Sequence, residues 1–216
     1  MTTRWTVIVP VKGTALAKSR LGLADPDRAA LALAFAIDTV SAALAADRVD
    51  RVVVVTASDA VATRLRELGA IAVRESSSAG LNPAITDGLE VARVEAPDAP
   101  VAVLLGDLPA LDPADLDAVL DRALEHSRAM VADAAGVGTV LVTALRGIPH
   151  HPKFGGASRA AHLAAGYVEL DVDAARGLRH DIDTLDDLAA VAGATLGPAT
   201  LGPATRALGT QSAALT

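Results

Sequence analysis

Four short runs of β-branched and aliphatic residues punctuate the first half of the chain: Thr6–Val11 (TVIVPV), Arg51–Thr56 (RVVVVT), Ala70–Val73 and Val101–Leu105 (VAVLL). Near-continuous apolar runs of this length are buried strands of a parallel sheet. Parallel neighbours need a crossover, which is right-handed and usually helical. The intervening segments supply one each. Asp25-Pro26 opens an Ala- and Leu-rich helix over about Pro26–Ala46, Asp59–Leu68 is amphipathic and ends at Gly69, and Leu81-Asn82-Pro83 starts a helix running to about Arg93. This alternation predicts an α/β domain, a mostly parallel mixed sheet with helices on both faces.

The run Val101–Leu105 ends abruptly in Gly106-Asp107. Open α/β sheets bind ligands outside the carboxyl ends of their strands. Asp107 therefore falls at the mouth of the sheet, with Gly106 permitting close approach of a ligand to the backbone. Turns also favour Asp for local reasons, so on this stretch alone a merely turn-capping Asp107 stays open. Pro109 stops the strand, and Asp112-Pro113 reads as the cap and first turn of a helix to His126. Beyond it, strands over Ala129–Asp133 and Val140–Ala144 flank Gly136-Val137-Gly138-Thr139. Thr139 can offer a hydroxyl and an N–H to an anion, or the glycine pair is only a hairpin turn.

Composition narrows the chemistry. The 216 residues suit one domain, and 51% hydrophobic content excludes disorder as a description of the whole. Aromatics make up only 2% and the net charge is -7, which together argue against stacking on bases or binding a nucleic-acid backbone. The absence of Cys excludes disulfides, thiolate metal sites and thiol nucleophiles. The apolar start is too short for a signal peptide, and no window is expected to reach membrane-spanning length. The expectation is a cytoplasmic protein without membrane or nucleic-acid partners.

Within this acidic chain, Lys12, Gly13, Thr14, Lys18 and Arg20 follow the first strand closely. They form either a solvated basic loop or a polyphosphate cradle of cations and backbone N–H groups. The spacing is neither a P-loop nor GxGxxG. Asn82 either caps its helix or turns its amide to a nucleobase edge. His150–Ser158 (HHPKFGGAS) is the least core-like stretch; the His pair has no chelating spacing, while Ser158 is placed to cap a helix to about Ala165. Ser158 and His162 share one helical face, and a Gly pair before a helix start is a ready anion site. After a strand over Tyr167–Leu170, Asp181 and Asp183 flank Ile182. In an extended segment both carboxylates face one side, a good oxygen pair for a hard cation such as Mg²⁺, unless Asp183 only caps the helix running to Val191. Residues 1–195 read as a single domain. The LGPAT repeat at 196–205 begins a C-terminal tail over 196–216, with 211–216 expected to fray.

An acid at a strand end, a second acidic pair, a basic loop and an anion-binding turn are the parts of metal-assisted nucleotidyl transfer. In this order they resemble the nucleotidyltransferases of the glycosyltransferase-A-like fold, and more closely the phosphoenolpyruvate or 2-phospho-L-lactate guanylyltransferases of coenzyme F420 biosynthesis. The matching residues are IVPVKG (8–13) with AKSRL (17–21), LNPAI (81–85), GDLPAL (106–111), GTVL (138–141), HPKFG (151–155) with Ser158 and His162, and LRHDIDTLDDL (178–188). GDLP is widespread among nucleotidyltransferases; its combination with HPKFG and HDIDT is far more specific. Where such proteins often carry Pro-Asp before the Ser, this chain has Gly156-Ala157. The resemblance implies a three-layer architecture and GTP with phosphoenolpyruvate as substrates, 2-phospho-L-lactate or a CTP-dependent reaction being the alternatives. It implies Asp107, Lys12 and Lys18 as catalytic, Mg²⁺ on Asp107, Asp181 and Asp183, and the acceptor on Thr139, Gly155 and Ser158. It further implies the nucleotide on Lys12, Gly13, Lys18, Arg20 and Asn82, and a downstream transferase of the same pathway as a partner. A non-catalytic nucleotide-binding module is the rival class.

Overall fold

The computed structural model describes residues 3–12, 21–77, 80–172, 175–191 and 196–214, with side chains in the last helix described to Leu208. Gly13, Thr14, Lys18 and Arg20, expected in the phosphate cradle, lie outside these residues. In chain order the elements are β1 (Trp5–Pro10), α1 (Asp25–Ala45), β2 (Val49–Thr56), α2 (Asp59–Glu67), β3 (Ile71–Arg74), α3 (Leu81–Glu95), β4 (Val101–Leu104), α4 (Pro113–Ala123), β5 (Arg128–Ala132), β6 (Thr139–Ala144), α5 (Ser158–Ala164), β7 (Val168–Glu169), α6 (Arg176–Arg179), α7 (Leu185–Val191) and α8 (Pro198–Ala214).

The strands form one sheet in the order β3-β2-β1-β4-β6-β5-β7. All neighbours are parallel except β6, which runs antiparallel to both β4 and β5. This is the expected mostly parallel mixed sheet. Alternation along the strands splits the core into two layers. Val7, Val9, Val52, Val54, Ala102 and Leu104 pack beneath α1, α2 and α4. Ile8, Val53, Val55, Val103 and Val142 pack on the other face beneath α3, with Phe154 and Tyr167. With four aromatic residues in the chain, the layers depend on close approach of small side chains. At Gly88 of α3, an added Cβ would lie 2.6 Å from Ile8 Cγ2.

Two features add to the expectations here. The segment from Leu196, read as a C-terminal tail, carries a helix: α8 runs to Ala214 despite its internal Pro203 and packs on α1 and α7. Ala204 and Ala207 join Leu31, Phe35, Ile182, Leu185 and Leu188 in a third apolar cluster. Tertiary burial has overridden the poor helix propensity of Gly and Pro. Secondly, α1 is by length and composition apolar enough to cross a membrane, contrary to the expected lack of such a window. Its packing between the sheet and α8, with Leu31, Phe35, Ala36 and Val40 buried, accounts for that composition as core.

Candidate active site

The sheet order places β1, β4 and β6 side by side. Because β6 is antiparallel to β4, its first residue lies at the same end as the last residues of β1 and β4. Lys12, Asp107 and Thr139 thus share one rim of the sheet. Gly106 makes this rim tight: an added Cβ would lie 3.1–3.2 Å from Val11 Cγ2, Pro10 O and Val9 Cγ1. The close approach expected between Gly106 and a ligand is in fact to the end of β1. Lys12 is exposed.

Asp107, Asp181 and Asp183 come together here, each half-buried, each offering a carboxylate oxygen within 4.8 Å of the others. The backbone explains the meeting. Ile182 N–H donates to Asp107 C=O at 3.2 Å. Ile182 itself is fully buried in the third cluster, so its two neighbours project the other way, toward Asp107. A second contact fixes the spacing: a Cβ on Gly177 would fall 1.8 Å from Ala110 O, so the chain before Asp181 lies directly on the loop after Asp107. Asp183 is not the helix cap. Thr184 Oγ1 accepts from Asp187 N–H at 3.1 Å, and Asp187 Oδ2 accepts from Thr184 N–H at 2.8 Å, the reciprocal box that starts α7. The pattern Thr184-x-x-Asp187 signals this helix start in the sequence. Three ionised carboxylates at such separations repel by about 3 kcal/mol per pair at an effective dielectric of about 20. A hard divalent cation turns that repulsion into attraction, and an all-carboxylate oxygen set suits Mg²⁺.

The neighbouring start of β6 is held by neutral hydrogen bonds. Thr139, the buried first residue of β6, places Oγ1 3.0 Å from His162 Nδ1. Lys153 N–H donates to His162 Nε2 at 2.9 Å. The ring proton is therefore on Nδ1, and Thr139 Oγ1 keeps its own hydrogen to donate. His162 is fully buried, edge-on to Phe154 and Tyr167 at 5.0 and 5.2 Å. Burial holds its pKa down to about 4, against an opposing hydrogen bond that the ring donates to the Ser158 C=O. Asn82 completes the brace: its Nδ2 donates to Phe154 C=O at 2.9 Å and its Oδ1 accepts from Phe154 N–H at 3.0 Å. Asn82 is thus not the helix cap, since Gly80 holds that position; its amide braces the His150–Ser158 loop.

Part of the backbone expected to meet an anion here is already used. Asp133 accepts from Val137 N–H at 2.9 Å and Gly138 N–H at 2.8 Å, so the protein's own carboxylate occupies the glycine turn. An Asp shortly before a glycine pair is a readable turn signal that sequence reasoning missed. Ser158 is the first residue of α5 rather than its cap, and is buried. Its N–H donates to Gly155 C=O at 3.1 Å, and Arg159 N–H donates to Val137 C=O at 3.1 Å. What remains to an incoming anion is the Thr139 and Ser158 hydroxyls and the chain at Gly155, whose φ of +142° only glycine adopts readily. The half-buried His150, missed as a structural group, has Nε2 2.9 Å from Val101 C=O and Nδ1 3.2 Å from Tyr167 Oη, tying the start of this loop to β4.

The family described as "Guanylyl transferase CofC like" matches residues 5–191. The chain belongs to this family. Among its curated relatives, the phosphoenolpyruvate guanylyltransferase of Streptomyces scabiei (strain 87.22) is 49% identical over 201 residues, covering 90% of this chain and 93% of the relative. The protein of that name from Salinispora arenicola (strain CNS-205) is 48% identical over 202 residues, covering 92% of each chain. Among solved structures, 4-diphosphocytidyl-2C-methyl-D-erythritol synthase superposes with a TM-score of 0.59 at 14% identity, covering 88% of this chain and 97% of that one. Rv0371c from Mycobacterium tuberculosis H37Rv superposes with a TM-score of 0.57 at 23% identity, covering 88% and 98%. These likenesses show a nucleotidyltransferase-like fold. The family match stops at residue 191, before α8.

Proposed function

We propose that the chain is a phosphoenolpyruvate guanylyltransferase, transferring GMP from GTP to the phosphate of phosphoenolpyruvate and releasing pyrophosphate. The observation that carries the reading is the convergence of Asp107, Asp181 and Asp183 beside the hydroxyl-bearing flank of Thr139 and Ser158, in a chain 49% identical to a curated protein of that activity. A phosphate oxygen of the acceptor bonds to the α-phosphorus of GTP, and the bond from that phosphorus to the bridging oxygen of pyrophosphate breaks. Asp107, Asp181 and Asp183 would hold Mg²⁺. When bound there, it would offset the charge of two anionic reactants and polarise the phosphoryl oxygen.

The side chains do the rest by placement. Lys12 faces the triphosphate from the end of β1, and Lys18 and Arg20 are assigned to the same task from the sequence. Thr139, its oxygen accepting from neutral His162, donates its hydrogen to the acceptor, and Ser158 adds a second hydroxyl. No general base is required, because the acceptor phosphate is already ionised at neutral pH (second pKa about 6). His162, with its pKa near 4, supports Lys153 and Thr139 and moves no proton. The product, an enolpyruvyl-diphosphoguanosine, fits coenzyme F420 biosynthesis, with a downstream transferase as its consumer and the cytoplasm as its place.

The test is turnover of GTP with each acceptor in turn, read as product mass and pyrophosphate. The reading expects the phosphoenolpyruvate adduct. Preference for 2-phospho-L-lactate corrects the acceptor, preference for CTP corrects the nucleotide, and no pyrophosphate with any pair overturns the enzyme.

A further inference from the structure

The loop that presents Asp107 is gripped from behind by residues that no motif marks. Thr39 of α1 accepts from Leu108 N–H through Oγ1 at 3.0 Å, while its own hydroxyl donates to Phe35 C=O at 2.8 Å. One residue on in that loop, Pro109 C=O accepts from Gly197 N–H at 2.8 Å. Gly197 precedes α8, and the first turn of α8 is held by Asp38, the neighbour of Thr39. Asp38 Oδ1 accepts from Ala199 N–H at 3.0 Å and Oδ2 from Thr200 N–H at 2.7 Å. Asp38 is buried, and an anion at a helix N-terminus is favoured by the unpaired N–H groups there. The fit leaves no slack: a Cβ on Gly197 would lie 2.2 Å from Asp38 Cγ. The other arm of the acidic triad is backed by the same helix, since Ile182 shares its apolar cluster with Ala204 and Ala207.

We propose that α8 is part of the scaffold of the acidic triad, and that Asp38 is a positioning residue for the cation held by Asp107, Asp181 and Asp183. The inference rests on the metal role assigned above and goes beyond it, because α8 lies outside the matched family region. Asp38 touches neither the cation nor the substrates; it sets the loop through α8 and Gly197. Groups behind metal ligands typically change affinity by about 10–100-fold when removed.

The experiment is Mn²⁺ titration of the full chain, followed by electron paramagnetic resonance of the free ion, at a temperature where every variant is folded by circular dichroism. Asp38→Ala should weaken Mn²⁺ binding about tenfold, and Asp38→Asn, which keeps one acceptor for α8, should fall between it and the parent. Hydrogen exchange at the Ile182 and Gly197 amides should rise in the same order. Ser58→Ala removes a comparable cap, at Val61 N–H of α2, and should leave Mn²⁺ affinity unchanged. Parent-like Mn²⁺ affinity in Asp38→Ala, with binding lost in Asp107→Asn, would overturn the scaffold role alone. A parent chain that binds no Mn²⁺ would overturn the metal assignment and this inference with it. If Asp38→Ala does not fold, Asp38→Asn with unchanged affinity overturns the proposal by itself.

Discussion

At the end of β4 three carboxylates lie within 4.8 Å of one another. At the start of the neighbouring β6, Thr139, His162, the Lys153 and Phe154 backbone and Asn82 are joined by neutral hydrogen bonds of 2.9–3.0 Å. The acidic flank is held by main-chain contacts behind it and is at odds with itself in charge, so it gains from a cation. The neutral flank satisfies its own polar atoms and needs nothing to hold its shape. A site that must bring two anions together benefits from both: one side that recruits positive charge, and one whose hydroxyls stay in place without it.

The largest effect should come from the acidic side. Asp107→Asn should lower guanylyl transfer by at least about 100-fold, since losing a ligand costs no less than losing a group behind one. Thermal shift gives a second readout: Mg²⁺ should raise the Tm of the parent by mass action but not that of Asp107→Asn. A retained Mg²⁺ shift in the variant would break the contrast between the flanks. On the neutral side, Ser158→Ala should raise the acceptor KM about tenfold, the weight of one hydrogen bond to a charged group, with the GTP KM nearly unchanged. Equal changes in both would remove Ser158 from the acceptor.

Asn82 sharpens the comparison. If its amide only braces Phe154, Asn82→Ala should raise the acceptor KM several-fold at constant GTP KM, and Asn82→Asp, which keeps the acceptor for Phe154 N–H, should do so less. A rise in GTP KM alone would return Asn82 to the nucleobase. A separate effect is that of pH on stability. Burial holds His150 and His162 down to about 4 from 6.5. The unfolded chain therefore binds these protons more readily, and Tm should fall as pH drops from 6.5 toward 4 and lose nothing further from these groups below that. His162→Gln should make the decline shallower.

The sheet was legible because its strands are pure β-branched runs whose helical crossovers leave few topologies. The Asp181-Ile182-Asp183 alternation was legible because a buried residue between two acids has one arrangement in extended chain. Its pairing with Asp107 came from family resemblance, since no local rule brings segments so distant together. What escaped notice depends on partners far away. Asn82 meets Phe154 72 positions along, and Asp38 meets Thr200 162 along. The LGPAT repeat reads as the start of a tail, and its helix depends on the surface that α1 offers. At the glycine turn the Val137 and Gly138 N–H groups serve Asp133, a carboxylate of the chain itself.

The packing of α8 on α1 carries a consequence for biosynthesis. Helix α1 ends at residue 45 and α8 begins at residue 198, so 153 positions separate them. At about 5–20 residues per second the ribosome needs roughly 8–30 s to cover that distance. Throughout that interval a greasy stripe of the nascent polypeptide has no lid, because α8 has yet to be made.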